Sequence, residues 1–198
     1  MADVIEGESF RNEDWYGEEM VERAYQRCTF HGIDLTESLT RGAVFTECTF
    51  GNVRFNASRH TDSAFLRCTF QRSNFFEAEF TGCKLVGSTF AECTLRPLRI
   101  TGGDWSFVGL PGADLHGVTI DGVRMREVDL TGANLAGAAV TGTDLSGAQL
   151  HGVNVERCDL RRSDLSALDP TTSRGLRDAL IVPEQAVVIA QALGFRIG

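Results

Sequence analysis

Much that would mark a membrane protein, an enzyme or a nucleic-acid binder is missing from this sequence. No run of 18 apolar residues occurs, so no membrane-spanning helix is expected. Met1 to Phe10 has neither the basic start nor the apolar stretch of a secretory signal. The chain is therefore read as cytoplasmic, and the Asn56-Ala57-Ser58 triplet carries no meaning as a glycosylation acceptor. There is no glycine loop that would cradle phosphate, no nucleophile elbow and no carboxylate pair in a plausible cleft. The four histidines, His31, His60, His116 and His151, lack metal-ligand spacing. Neither an enzyme nor a cofactor is expected. With a net charge of −8 the chain is also no ordinary nucleic-acid binder, which would be basic.

What is abundant falls into one pattern. Thr131 to Leu150 reads in fives, with Leu135, Val140, Leu145 and Leu150 as large apolar residues and Ala133, Ala138, Thr143 and Ala148 as small ones two places earlier. From Tyr25 to Leu165 every fifth residue is aromatic or aliphatic at 27 of 29 places, Thr40 and His60 being the exceptions. A period of five suits neither a helix nor an ordinary strand. It suits a square coil with twenty residues per turn, one large and one small side chain pointing inward from each side. Turns would stack through backbone hydrogen bonds about 4.8 Å apart. Cys28-Thr29-Phe30, Cys48-Thr49-Phe50 and Cys68-Thr69-Phe70 repeat at that interval, and roughly seven turns follow.

All six cysteines (Cys28, Cys48, Cys68, Cys83, Cys93 and Cys158) occupy the small inward position, where they read as packing residues. Two places after the central residue, glycine fills nine of eleven positions from Gly102 to Gly152 but four of fifteen from Arg27 to Pro97. Glycine there suits turns with positive φ, so squarer coils are expected in the second half and mixed turns in the first. Arg96-Pro97-Leu98-Arg99 should distort the stack, because Leu98 is large for its position and Pro97 removes a donor.

Three segments are expected. Residues 1–22 form an acidic arm or cap, with Asp3, Glu6, Glu8, Glu13, Asp14, Glu18, Glu19 and Glu22 against Arg11 alone. Residues 23–169 form the coil. Residues 170–198 form a tail with a short extended piece at Leu180-Ile181-Val182 and a helix from Pro183 to Leu193 ended by Gly194. The tail would cap the last turn and could join two copies through Leu180, Ile181, Val182, Val187, Ile189 and Leu193. Acids outnumber bases ten to five between residues 101 and 170, so a tail-to-tail dimer would be a rod with an anionic middle. Asp104, Asp114, Asp129, Asp144, Asp159 and Asp164 are the candidate surface, either as an ordinary solvated face or as carboxylates offered to a site built for DNA phosphates.

The A(D/N)LxG fives resemble the pentapeptide repeat proteins. The segments SAFLRCTF (63–70), GSTFAECTLRPL (87–98), GADLHG (112–117) and VPEQAVVIAQALG (182–194) resemble, within them, the fluoroquinolone-resistance group allied to the Qnr proteins. The resemblance implies an all-β fold, a right-handed quadrilateral parallel β-helix with a short helical cap. It implies a homodimeric DNA mimic that binds DNA gyrase, competes with duplex DNA, inhibits supercoiling and protects the enzyme from quinolones. The contact it implies is the ATPase region of the GyrB subunit, with the cleavage core as second choice. The unbroken register implies that the long loops of many Qnr proteins are absent. The other readings are an interaction scaffold for another partner and self-protection against a gyrase-targeting natural product.

Overall fold

The computed structural model describes residues 4–173 and 176–198, which leaves Asp3 of the expected arm outside the described residues. The chain winds into a four-sided coil. Strands of three or four residues pair in parallel with the strand one turn on, always twenty residues away: Val4 with Ala24, Thr29 with Thr49, Glu79 with Arg59, Thr119 with Ala139. Three sides carry sheets, and the fourth is held by single bridges such as Asp34 to Arg54 and Asn134 to Asn154. We name the sides by their first central residues: Ile5, Phe10, Trp15 and Met20.

The core follows from the period. Like residues lie over one another, so Phe30, Phe50, Phe70 and Phe90 form a column with ring centroids 4.8, 4.9 and 4.6 Å apart. That interval is the strand spacing itself, which is why a flat ring suits this position. Tyr25, Phe45 and Phe65 stack on the neighbouring side. Trp105 closes the aromatic half by stacking on Phe90, and aliphatic residues fill the axis beyond it.

The small inward side chains lean toward the preceding turn. Cys68 Sγ lies 3.4 Å from the Phe45 carbonyl, Cys83 Sγ 3.3 Å from that of His60, and Ser88 Oγ 2.7 Å from that of Phe65. Cysteine and serine share the position because each is small and can donate to that carbonyl. The cysteines are free thiols, five buried and Cys93 half-buried.

Three expectations change. Residues 4–22 are not an arm outside the repeat but its first turn, with Ile5, Phe10, Trp15 and Met20 as central residues and Ile5 above Tyr25. Phe10 stacks on Phe30 at 5.1 Å. The sequence disguises this turn because its small position holds Glu8, Glu13 and Glu18. At the end of the rod that position meets no preceding turn, so the charges stand in solvent and guard the open edge.

Second, positive φ does not depend on glycine. Arg27, Glu47, Asn52, Ala57 and Arg72 adopt φ of 49–55° at the corner position that glycine fills elsewhere. Third, the two halves differ in how corners close. From Leu110 onward three sides close with an i to i+3 bond, as in Ala133 N–H to Leu130 O at 2.9 Å, while in the early turns this bond recurs on the Trp15 side. Corners of the Met20 side stay open as far as Gly142 among the described residues, so the second half is more regular without being uniform.

At the break, proline cannot take positive φ, and the Arg96–Pro97 peptide is cis. Leu98 is nevertheless buried. It pairs with Ala78, whose small side chain leaves it room. Ile100 stays in register with Phe80 and Ile120.

The helix runs Pro183–Ala192, and Leu180 stacks on Asp159 to continue the Met20 side. One side chain ties the helix to the coil by hydrogen bonds. Gln185, 7% exposed, donates from Nε2 to the Leu160 and Ser163 carbonyls at 2.7 and 2.8 Å, while its Oε1 accepts from Val182 N–H at 2.8 Å. Gln185→Leu removes all three bonds and strands two carbonyls, at a cost of about 2–3 kcal/mol. Hydrogen exchange should then show residues 183–193 losing protection while the coil below Leu150 keeps its own.

Candidate functional site

The site has to be sought on the outside, because the axis is filled. A groove of about 360 Å³ lies beside the proline break between Arg59, Glu79, Pro97 and Arg99. Among the described residues no three His, Cys, Asp or Glu side chains could hold a metal ion. No helix among the described residues is long and apolar enough to cross a membrane.

The six candidate aspartates share one local role. Each stands one place before a central residue, and its Oδ1 accepts the N–H two residues on: Asp104 from Ser106 at 3.0 Å, Asp114 from His116 at 3.3 Å, Asp129 from Thr131 at 2.9 Å. Asp144 takes Ser146 at 3.1 Å, Asp159 takes Arg161 at 3.2 Å and Asp164 takes Ser166 at 2.8 Å. These bonds close the corner. Asn134 and Asn154 do the same for Ala136 and Glu156.

The six do not form one patch. Asp104 and Asp144 lie on the Ile5 side two turns apart with Arg124 between them, and Asp164 follows at the next turn. Asp129 lies on the Phe10 side, Asp114 on the Trp15 side and Asp159 on the Met20 side. Four carry arginines: Asp104 with Arg124 at 3.1 Å, Asp114 with Arg96 at 2.9 Å, Asp144 with Arg126 at 2.6 Å and Asp159 with Arg161 at 2.7 Å. Among the described residues Asp129 and Asp164 have no ion pair. Burial works against ionisation of Asp104, but the Ser106 hydroxyl and amide and the Arg124 guanidinium hold its carboxyl below the usual range. The Ser146 hydroxyl and Arg126 do so for Asp144, and Arg161 for Asp159. These carboxylates stay charged well into acid.

The tail residues also divide. Ile181 and Ile189 pack against the last turn and serve as the cap. Leu180, Val187 and Leu193 are exposed, and Val182 is the half-buried N-cap. Val188, Phe195 and Ile197 extend the exposed apolar surface, which helical periodicity alone does not bring out.

A four-sided coil of five-residue units, filled along its axis, defines the chain as a pentapeptide-repeat solenoid. The family model "Pentapeptide repeats" matches eight copies, at residues 61–96, 110–147 and 129–166. Within that class the chain is similar to the pentapeptide repeat protein MfpA of Mycobacterium tuberculosis (strain ATCC 25618 / H37Rv), with 35% identity over 114 residues, or 58% of this chain and 51% of that protein. The chain thus spans about half the length of this curated relative. Its fold matches that of QnrB1, described as a plasmid-mediated fluoroquinolone resistance protein. A trypsin-treated variant of QnrB1 gives a TM-score of 0.89 at 21% identity, covering 100% of this chain and 98% of that one. The full-length form gives 0.65 at 21% identity, covering 98% and 100%.

Proposed function

We propose that this protein binds DNA gyrase as a mimic of duplex DNA, inhibits supercoiling and shields the enzyme from fluoroquinolones in the cytoplasm. One observation carries the electrostatic part. The side-chain bond at a corner needs one oxygen, and asparagine supplies it at residues 134 and 154. The six candidate aspartates do the same work beyond the break, with a charge that the corner bond itself does not require, and in Asp129 and Asp164 that charge is also free of any ion pair among the described residues. A rigid, filled rod holds them in place at no cost in ordering when a partner binds. The likeness to MfpA and to QnrB1 supports the resistance role.

On this reading two copies join through the exposed tail residues Leu180, Val187 and Leu193. The carboxylates then enter a basic passage of gyrase, with the GyrB ATPase region favoured over the cleavage core. Asp129 and Asp164 contribute most, because an arginine already screens each of the other four.

A supercoiling assay with purified gyrase is expected to show inhibition at micromolar protein, weakening steeply as salt rises. Asp129→Asn with Asp164→Asn preserves both corner bonds and should raise the inhibitory concentration several-fold with no change in melting temperature. Full supercoiling at micromolar wild-type protein would sink the reading.

A further inference from the structure

Phe107 stands at a corner between the Ile5 and Phe10 sides, two places after Trp105. Its φ is +61°, and its side chain is 54% exposed. The other residues at this corner position with positive φ are glycine, polar, charged or, once, alanine among the described residues. A bulky side chain there bears the strain of the left-handed region. Exposure of the ring means that folding gains little from it in return. The backbone is firmly placed all the same, with Phe107 N–H donating to Arg126 O at 2.9 Å. Glycine would fit this position better on both counts, so Phe107 is poorly explained by stability.

Its surroundings are those of a contact. On the adjoining Phe10 side Gly112 bears no side chain and a Cβ there would meet nothing, so a partner can approach the backbone closely, while the Thr89 methyl lies over Gly109. One turn on, the same corner carries Glu127, with Asp129 beside it on the Phe10 side. Neither has an ion pair among the described residues.

We propose that Phe107 is an anchor that inserts into an apolar pocket of a partner protein, with Glu127 and Asp129 meeting cationic groups at the rim of that pocket. Aromatic residues flanked by charge at a bare, rigid surface are the usual carriers of interface energy. The two carboxylates speak against a nucleobase as the occupant, since phosphate would be repelled. A second copy of this chain fits poorly, because a twofold contact here would bring Glu127 and Asp129 against the same two carboxylates of the partner copy. The inference rests on gyrase being the partner.

The test uses the full-length protein with purified gyrase. Phe107→Ala is expected to raise the inhibitory concentration at least tenfold, and Phe107→Leu to restore part of the loss. Phe107→Gly should melt no lower than wild type, and the mass in solution should be the same for all three. Equal inhibition by Phe107→Ala and wild type would overturn the anchor and leave the gyrase reading standing. Absence of inhibition by the wild type would overturn both. A lower melting temperature for Phe107→Gly would make the residue structural, and a smaller mass would make it a self-association contact; either result overturns the inference.

Discussion

Gly103→Ala should lower the melting temperature by roughly 10 °C or more, while Gly102→Ala next to it should cost a third of that or less. The two glycines look alike in sequence, and both have positive φ, +85° and +62°. Their surroundings differ. A Cβ on Gly102 would enter open space, so the cost is the left-handed backbone alone, about 1 kcal/mol. A Cβ on Gly103 would fall on the Cys83 carbonyl oxygen of the preceding turn and lie 2.8 and 3.0 Å from the Cys83 nitrogen and carbonyl carbon. Backbone cannot yield there without giving up the bond from Asp104 N–H to Cys83 O, now 3.0 Å. Strain and a severed ladder bond between buried groups together come to about 4 kcal/mol. Thermal melts of the two variants side by side would check it, and equal losses would refute the role assigned to Cys83.

The second large effect concerns acid. His60 is 1% exposed among aromatic rings, stacked on Phe80 at 4.5 Å. Thr40 Oγ1 lies 2.9 Å from its Nδ1 and Ser58 Oγ 3.0 Å from its Nε2. Burial pushes its pKa down to about 3 from an ordinary value near 6.5. The folded protein therefore holds a neutral imidazole, while the unfolded chain takes up a proton below pH 6.5. Stability is full above that pH and falls as pH drops from 6.5 toward 3. The slope is about 1.4 kcal/mol per pH unit, or about 3 kcal/mol lost by pH 4. His60→Phe extends the aromatic column and leaves Ser58 bonded to the Phe55 carbonyl at 2.7 Å and Thr40 to Ser63 at 2.9 Å. Denaturant melts at pH 7 and pH 4.5 should show the variant losing about 2–3 kcal/mol less than wild type between the two. Parallel losses would mean that His60 is protonated in the folded state.

Sequence makes most of this legible for a physical reason. A stack with a fixed interval writes its geometry into the chain, so the twenty-residue turn, the inward cysteines and the capping helix can be read from spacing. What escapes is written differently. The first turn hides behind Glu8, Glu13 and Glu18, because an end turn obeys the rule for large residues and breaks the one for small ones. Gln185 escapes because nothing in a helical sequence marks which polar side chain will reach two carbonyls. The aspartates stand out for their charge, yet the corner bonds and the arginines across the turn come from three-dimensional neighbours. Phe107 reads in sequence only as one of two non-glycine residues in a glycine-rich series.

The constant interval also bears on how the chain finds its shape. Paired strands in the coil are always twenty residues apart, whereas sheet proteins commonly join segments from opposite ends of the chain. Every loop to be closed has the same short length, and each closure leaves a template for the next. A β structure of this kind has the contact order of a helical bundle, and should fold with comparable speed. A fault at one level, such as the Gly103 lesion, would then interrupt the rod there and leave the turns on either side to form by themselves.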